Sequence, residues 1–106
     1  MKYLTIVTRR QQAPVPLEAL PGILIAQREW LNEHVADGTI DVVHAFPQGG
    51  GVAIVNADSA EELNAMLLSQ PGFMLNDFDI RPLVDINTAL TNAAEAIQRM
   101  AAGAPA

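Results

Sequence analysis

His44 and His34 are the only two histidines of the chain. An imidazole titrates near neutrality, as proton transfer at physiological pH requires. His44 lies in the run Thr39 to Phe46 and shares an apolar strand face with Val42 and Phe46. It is the first candidate for a general base; the structural alternative is a strand-end histidine with a backbone or water partner. His34 falls on the leucine-bearing stripe of a helix, from which it can approach the same pocket. Its structural alternative is a cation that meets the negative end of the helix dipole. Glu29 is the third candidate, since burial raises a carboxyl pKa into the range of a useful base. The alternative is a solvated helix carboxylate, because glutamate is seldom buried without a partner. Trp30, Phe46, Tyr3 and Arg81 are the candidate substrate contacts. The indole and phenyl rings would stack on a ligand; Tyr3 and Arg81, with Arg9, would polarise a ligand oxygen. Each has an ordinary structural use as a core aromatic, a sheet-edge group or, for Arg81, a partner of Asp77 or Asp79.

Other chemistries find less support. The chain has no cysteine, so it offers no thiol nucleophile, disulfide or thiolate zinc site. Two histidines on different elements, without a set of carboxylates, make no metal-ligand pattern, and neither metal nor cofactor is expected. Gly49-Gly50-Gly51 leads into a strand rather than a helix, so it is a hairpin turn and not a phosphate cradle. The formal charge is −6 with six scattered Lys and Arg. Nucleic acid and anionic membrane surfaces are therefore not expected partners. No apolar run reaches the roughly 18 residues of a membrane span. The expectation is a cytoplasmic protein with a small-molecule ligand.

The elements that must position these residues follow from periodicity. Tyr3 to Arg9 alternates and is rich in β-branched residues, a first strand. Leu17 to Ala36 is helical, with Leu20, Leu24, Leu31 and Val35 in one stripe. Pro21 fits only a first turn, so the regular helix begins near it after a separate short turn. Asp37-Gly38 stops the helix. Thr39 to Phe46 is a second strand, with Ile40, Val42, His44 and Phe46 on one face and Asp41, Val43 and Ala45 on the other. Val52 to Asn56 is a third strand, apolar on both faces and so expected to be covered on both. Ser59 and Glu62 form a capping box that starts a second helix. Asp77 to Val84 is a fourth strand, and Asn87 to Ala101 an alanine-rich helix. The final residues, Gly103 to Ala106, are expected to fray.

A chain of 106 residues, half of them hydrophobic, makes one domain with a packed core. The order βαββαβ is that of an α+β, ferredoxin-like sandwich with an extra C-terminal helix. Residues 1–86 are the α+β domain and 87–106 the C-terminal helix and tail. Right-handed crossovers put both helices on one face. The bare face carries Val43, Ala53 and Val55 or their neighbours one position along, and monomers rarely leave such a face in water. A homodimer packed sheet to sheet is expected, with the C-terminal helix a further candidate for subunit contact.

The central stretch resembles the muconolactone δ-isomerase-like family of the dimeric α+β barrel superfamily. The matching residues are Glu29, Gly38-Thr39, the glycine turn, Val52-Ala53-Ile54-Val55 and Asp58-Ser59-Ala60-Glu61-Glu62-Leu63. They continue through Leu67, Gln70-Pro71-Gly72-Phe73 and Asp79-Ile80-Arg81-Pro82-Leu83. The resemblance implies a dimeric α+β barrel subunit without metal or cofactor that binds a lactone or cyclic carboxylate. It also implies a proton shift: a base removes a proton beside a carbonyl, and the proton returns elsewhere on the conjugated system. Members of that family carry tryptophan and arginine through strand 2. Here the run Ile40 to Phe46 has no arginine, so a substrate carboxylate lacks that partner. Two other functions stand beside the isomerase: a cofactor-free oxygenase or cyclase that stacks its ligand on aromatic rings, and a non-catalytic dimeric binding or accessory protein.

Overall fold

Strand β1 (Lys2–Arg9) lies inside a four-stranded sheet whose remaining strands are β2 (Ile40–Ala45), β3 (Gly51–Asn56) and β4 (Asn76–Leu83). Helices α1 (Leu20–Ala36), α2 (Ala60–Leu68) and α3 (Ile86–Ala102) complete the chain, with short 3-10 turns at Leu17–Ala19 and Phe73–Leu75. The computed structural model describes residues 1–12 and 14–103; the tail at 104–106, expected to fray, lies outside them. All pairings are antiparallel and the strand order is β2-β3-β1-β4. This is the α+β, ferredoxin-like βαββαβ arrangement with an extra C-terminal helix.

Local signals set the element ends. Pro21 falls in the first turn of α1, and the 3-10 turn precedes it. Gly38 takes φ 84° just past the helix, a conformation that costs glycine nothing. The Asp37 carboxylate accepts from the Thr39 amide at 2.8 Å and turns the chain into β2. At α2 the Ser59 hydroxyl accepts from the Glu62 amide at 3.1 Å, and the Glu62 carboxylate accepts from the Asp58 amide at 2.9 Å. The first bond satisfies one of the orphan amides of the helix start, and the second ties Glu62 back to the residue before the cap. Asp85 caps α3 by accepting from the Thr88 amide at 3.0 Å.

Strand β2 departs from simple alternation. A bulge lies between Ile40 and Val42, so Ile40 pairs with Val55 and Val43 with Ala53. The extra residue puts Ile40 and Val43 on the same face. Val55 and Ala53 in turn stand opposite Tyr3 and Thr5, which are buried. That face is covered by α1 and α2. Ile40, Val55, Leu63 and Leu67 form the core with Tyr3, and Trp30, Leu31 and Phe78 pack against it. Val42 and His44, opposite Ile54 and Val52, face the other way. The helix-free face therefore holds the neighbours rather than Val43, Ala53 and Val55: Leu4, Ile6, Val42, Val52 and Ile54.

Helix α1 covers the sheet yet has no fully buried side chain. Leu24 and Val35, expected on its buried stripe, are 40 and 43 % exposed. The helix stands off the sheet, and the space beneath it is a cavity. Among the described residues no helix is long and apolar enough to cross a membrane.

Candidate functional site

The cavity has a volume of about 180 Å³ and lies between α1, the C-terminal part of α2 and the covered face of the sheet. Its walls are largely apolar, with Leu24, Trp30, Leu31, Val43, Met66 and Phe78 among them. A dry engineered cavity of about 150 Å³ takes a benzene molecule, so this one matches a single substituted ring.

Polar groups enter at a few points. Thr5 is 2 % exposed on the sheet floor, and its hydroxyl donates to the Ala53 carbonyl across a long 3.3 Å. Gln27 of α1 and Gln70, just past α2, close one end. The Gln27 amide donates to the Gln70 side-chain oxygen at 2.8 Å and accepts from the Gly72 amide at 2.8 Å. Gln70 in turn donates to the Leu67 carbonyl at 3.0 Å. A Cβ on Gly72 would stand 2.9 Å from the Gln27 oxygen, so glycine permits this clamp between α1 and the α2–β4 connection.

The other end is bounded by Arg9, at the end of β1, and by the hairpin turn between β2 and β3. Gly49 and Gly50 take φ 105° and 75°. The Arg9 side chain lies against Gly49, with Nε 3.6 Å from where a Cβ would stand. Arg10, Arg81 and Lys2 pair with Asp77, Asp79 and Asp41. Arg9 has no ion-pair partner among the described residues, so its charge is open to a ligand at the cavity mouth.

Besides Arg9, two of the candidate residues come to this cavity. Trp30 is a wall. His44 borders it, but the β2 register puts its imidazole on the helix-free face opposite Val52. The others lie elsewhere. His34 sits behind Trp30, ring centroids 4.3 Å apart, with Nδ1 3.4 Å from an Asp37 oxygen but without hydrogen-bond geometry. The Glu29 carboxylate is solvated on the outer side of α1, 3.9 Å from the Arg28 guanidinium. Phe46 lies in the hairpin turn, where its amide donates to the Gly50 carbonyl at 2.9 Å. Tyr3 is buried in the core, its hydroxyl 3.7 Å from the Met1 sulfur. Arg81 is on the helix-free face, 3.0 Å from Asp79. Among the described residues that line the cavity, Arg9 and His44 are the ionisable ones.

Two carboxylates away from the cavity are held below their ordinary value of 3.8. The Thr39 hydrogen bonds lower Asp37, helped by His34. The Lys2 ammonium and the Asn56 amide lower Asp41. These groups fasten the start of β2, not the site.

Compared with solved structures, the chain has the fold of muconolactone isomerase, with a TM-score of 0.70 at 15% identity over 80% of this chain and 90% of that one. It is similarly like the 5-chloro-2-hydroxyhydroquinone dehydrochlorinase of Burkholderia phenoliruptrix AC1100, solved with 2,5-dihydroxybenzoquinone. There the TM-score is 0.64 at 16% identity, over 83% of this chain and 98% of that one. No curated protein matches the chain by sequence. The fold is thus that of the muconolactone isomerase-like α+β proteins. By sequence the chain belongs to the family described as a domain of unknown function, DUF3303, whose pattern matches residues 1–97.

Proposed function

We propose that this protein is a small, cofactor-independent enzyme that takes a single-ring lactone or cyclic carboxylate into the cavity beneath α1 and shifts a proton on it. The observation that carries this reading is the cavity itself: ring-sized, apolar, walled by Trp30 and Phe78, with Arg9, unpaired among the described residues, at one end. Arg9 faces the ligand carboxylate and takes the place of the strand-2 arginine that this sequence lacks. His44, the one histidine that borders the cavity, is the proposed proton carrier, a role that requires its imidazole to turn in from the helix-free face. Support from comparison is that one neighbour of this fold is an isomerase of a lactone by name, and another was solved with a single-ring dihydroxyquinone. Two copies pair through the helix-free sheet face, where Leu4, Ile6, Val52 and Ile54 are only partly covered in one chain.

The orientation of His44 favours a second reading, a dimeric protein that binds such a ring without turning it over. One experiment separates the two. Single-ring lactone carboxylates are offered in D2O and followed by proton NMR, with Trp30 fluorescence as the binding signal. Exchange or isomerisation that is lost in His44→Ala supports the enzyme. Binding with no exchange over hours supports the second reading, and no binding overturns both.

A further inference from the structure

Among the described residues two polar side chains are buried, Thr5 and Gln70, and both line the cavity. Gln70 is engaged with Gln27 and with the Leu67 carbonyl, at 2.8 and 3.0 Å. Thr5, 2 % exposed, is less well provided for. Its hydroxyl donates to the Ala53 carbonyl at 3.3 Å, well beyond the roughly 2.7–2.8 Å usual for such a bond. Among the described residues no group donates to that oxygen, so its acceptor sites are empty. Its cross-strand neighbours, Ala53 and Ile80, carry no polar side chain. Burying a hydroxyl here costs free energy that a valine of the same shape would not cost. Thr5, Val7 and Arg9 alternate along β1, and all three line the cavity. A strand rises about 3.3 Å per residue, so Thr5 and Arg9 stand about 13 Å apart along the floor. A ligand laid along β1 meets a cation at one end, apolar Val7 beneath it and an acceptor hydroxyl further in.

We propose that Thr5 accepts a hydrogen bond from a ring hydroxyl of the ligand, on the side of the ring opposite the carboxylate that Arg9 receives. This deepens the reading of the cavity given above and rests on it. The ligand hydroxyl donates to Thr5 Oγ1, while Thr5 keeps its own proton on the Ala53 carbonyl. Each end contact takes about 2.8 Å, which leaves on the order of 7 Å for the ligand between them. A six-membered ring with oxygen groups at opposite ends spans that length. A ring with both on neighbouring carbons does not, and it leaves Arg9 or Thr5 unmatched. A bare ring carbon against Thr5 covers the hydroxyl and gives it no donor, which is penalised in a dry site. The substrate class is thereby narrowed to single-ring acids with a hydroxyl opposite the carboxylate.

Isothermal titration calorimetry of the full chain with benzoate, 4-hydroxybenzoate and 2-hydroxybenzoate tests this. The parent is expected to bind 4-hydroxybenzoate about threefold to tenfold more tightly than benzoate. 2-Hydroxybenzoate, with its hydroxyl beside the carboxylate, is expected to show no such gain. Thr5→Val removes the hydroxyl and keeps the shape. In that variant the ratio of the 4-hydroxybenzoate and benzoate constants is expected to fall to about one. Thr5→Ser returns an acceptor oxygen and is expected to restore the ratio. A parent that binds benzoate and 4-hydroxybenzoate alike overturns the proposal without any variant, and leaves the cavity reading standing. Equal gain for the two hydroxy acids, or a preference that survives in Thr5→Val, does the same. A parent that binds none of the three acids overturns the cavity reading, and the Thr5 contact with it.

Discussion

At the residue scale, the proposed ligand preference turns on Arg9. A charge-assisted hydrogen bond contributes about 1.5 kcal/mol, and its loss weakens binding about tenfold. Arg9→Ala is expected to weaken a ring carboxylate by that factor and leave its methyl ester almost unchanged, as read by titration of Trp30 fluorescence. Equal loss for both would assign Arg9 to structure. Asp41 makes the complementary case of a charge that serves the fold. Its pKa is lowered in the folded chain by Lys2 and Asn56. A lowered carboxyl adds stability above its ordinary value of 3.8 and loses it as pH falls through the folded value. Asp41→Asn is therefore expected to be less stable than the parent at pH 7, with the gap closing below about pH 3.8. Thermal unfolding at the two pH values checks this; a gap that stays constant would mean the charge is irrelevant.

At the scale of elements, the helix ends were legible because each rests on a few neighbouring residues. Ser59 and Glu62 announce α2, and Pro21 announces the start of α1. Ser59→Ala is expected to cost about 1 kcal/mol, seen as a melting point lower by about 5 °C. Gly50→Ala should cost far more, because a Cβ there would stand 2.1 Å from the Val7 carbonyl oxygen. Urea unfolding distinguishes the two variants. The bulge in β2 was not legible. Val42 and Val43 are both apolar, so alternation could not say which of them turns inward, and one inserted residue decides it. His44 went with that choice: the alternating pattern put it with Ile40, and the bulge sends it to the opposite face. Trp30 could be placed at the cavity wall because its ring borders the leucine stripe. Thr5, Gln27 and Gln70 were not singled out as site residues. A polar side chain in a strand or beside a helix end reads as surface until the packing above it is known. The cavity depends on how far α1 stands from the sheet, a distance that no periodicity encodes.

At the scale of the whole molecule, the order of elements was enough for the fold, since βαββαβ with right-handed crossovers leaves few arrangements open. It also left one sheet face bare. Ile6→Glu puts a charge in the middle of that face. Burying an isoleucine contributes about 1.5–3 kcal/mol, so the variant is expected to dissociate a sheet-paired dimer about tenfold to a hundredfold more readily. Sedimentation at several concentrations reads the change; a dimer indifferent to Ile6→Glu is held elsewhere.

The most direct measurement is a titration of Trp30 fluorescence with single-ring lactone carboxylates and dihydroxyquinones, on the parent chain and on Val43→Phe, which fills the cavity. Trp30 is the one tryptophan of the chain and a wall of the cavity, so its emission reports that site alone. The expected result is a saturable change with one ligand per chain in the parent and none in Val43→Phe. No saturable change with any such ring, or a change that persists when the cavity is filled, would contradict a ligand site beneath α1.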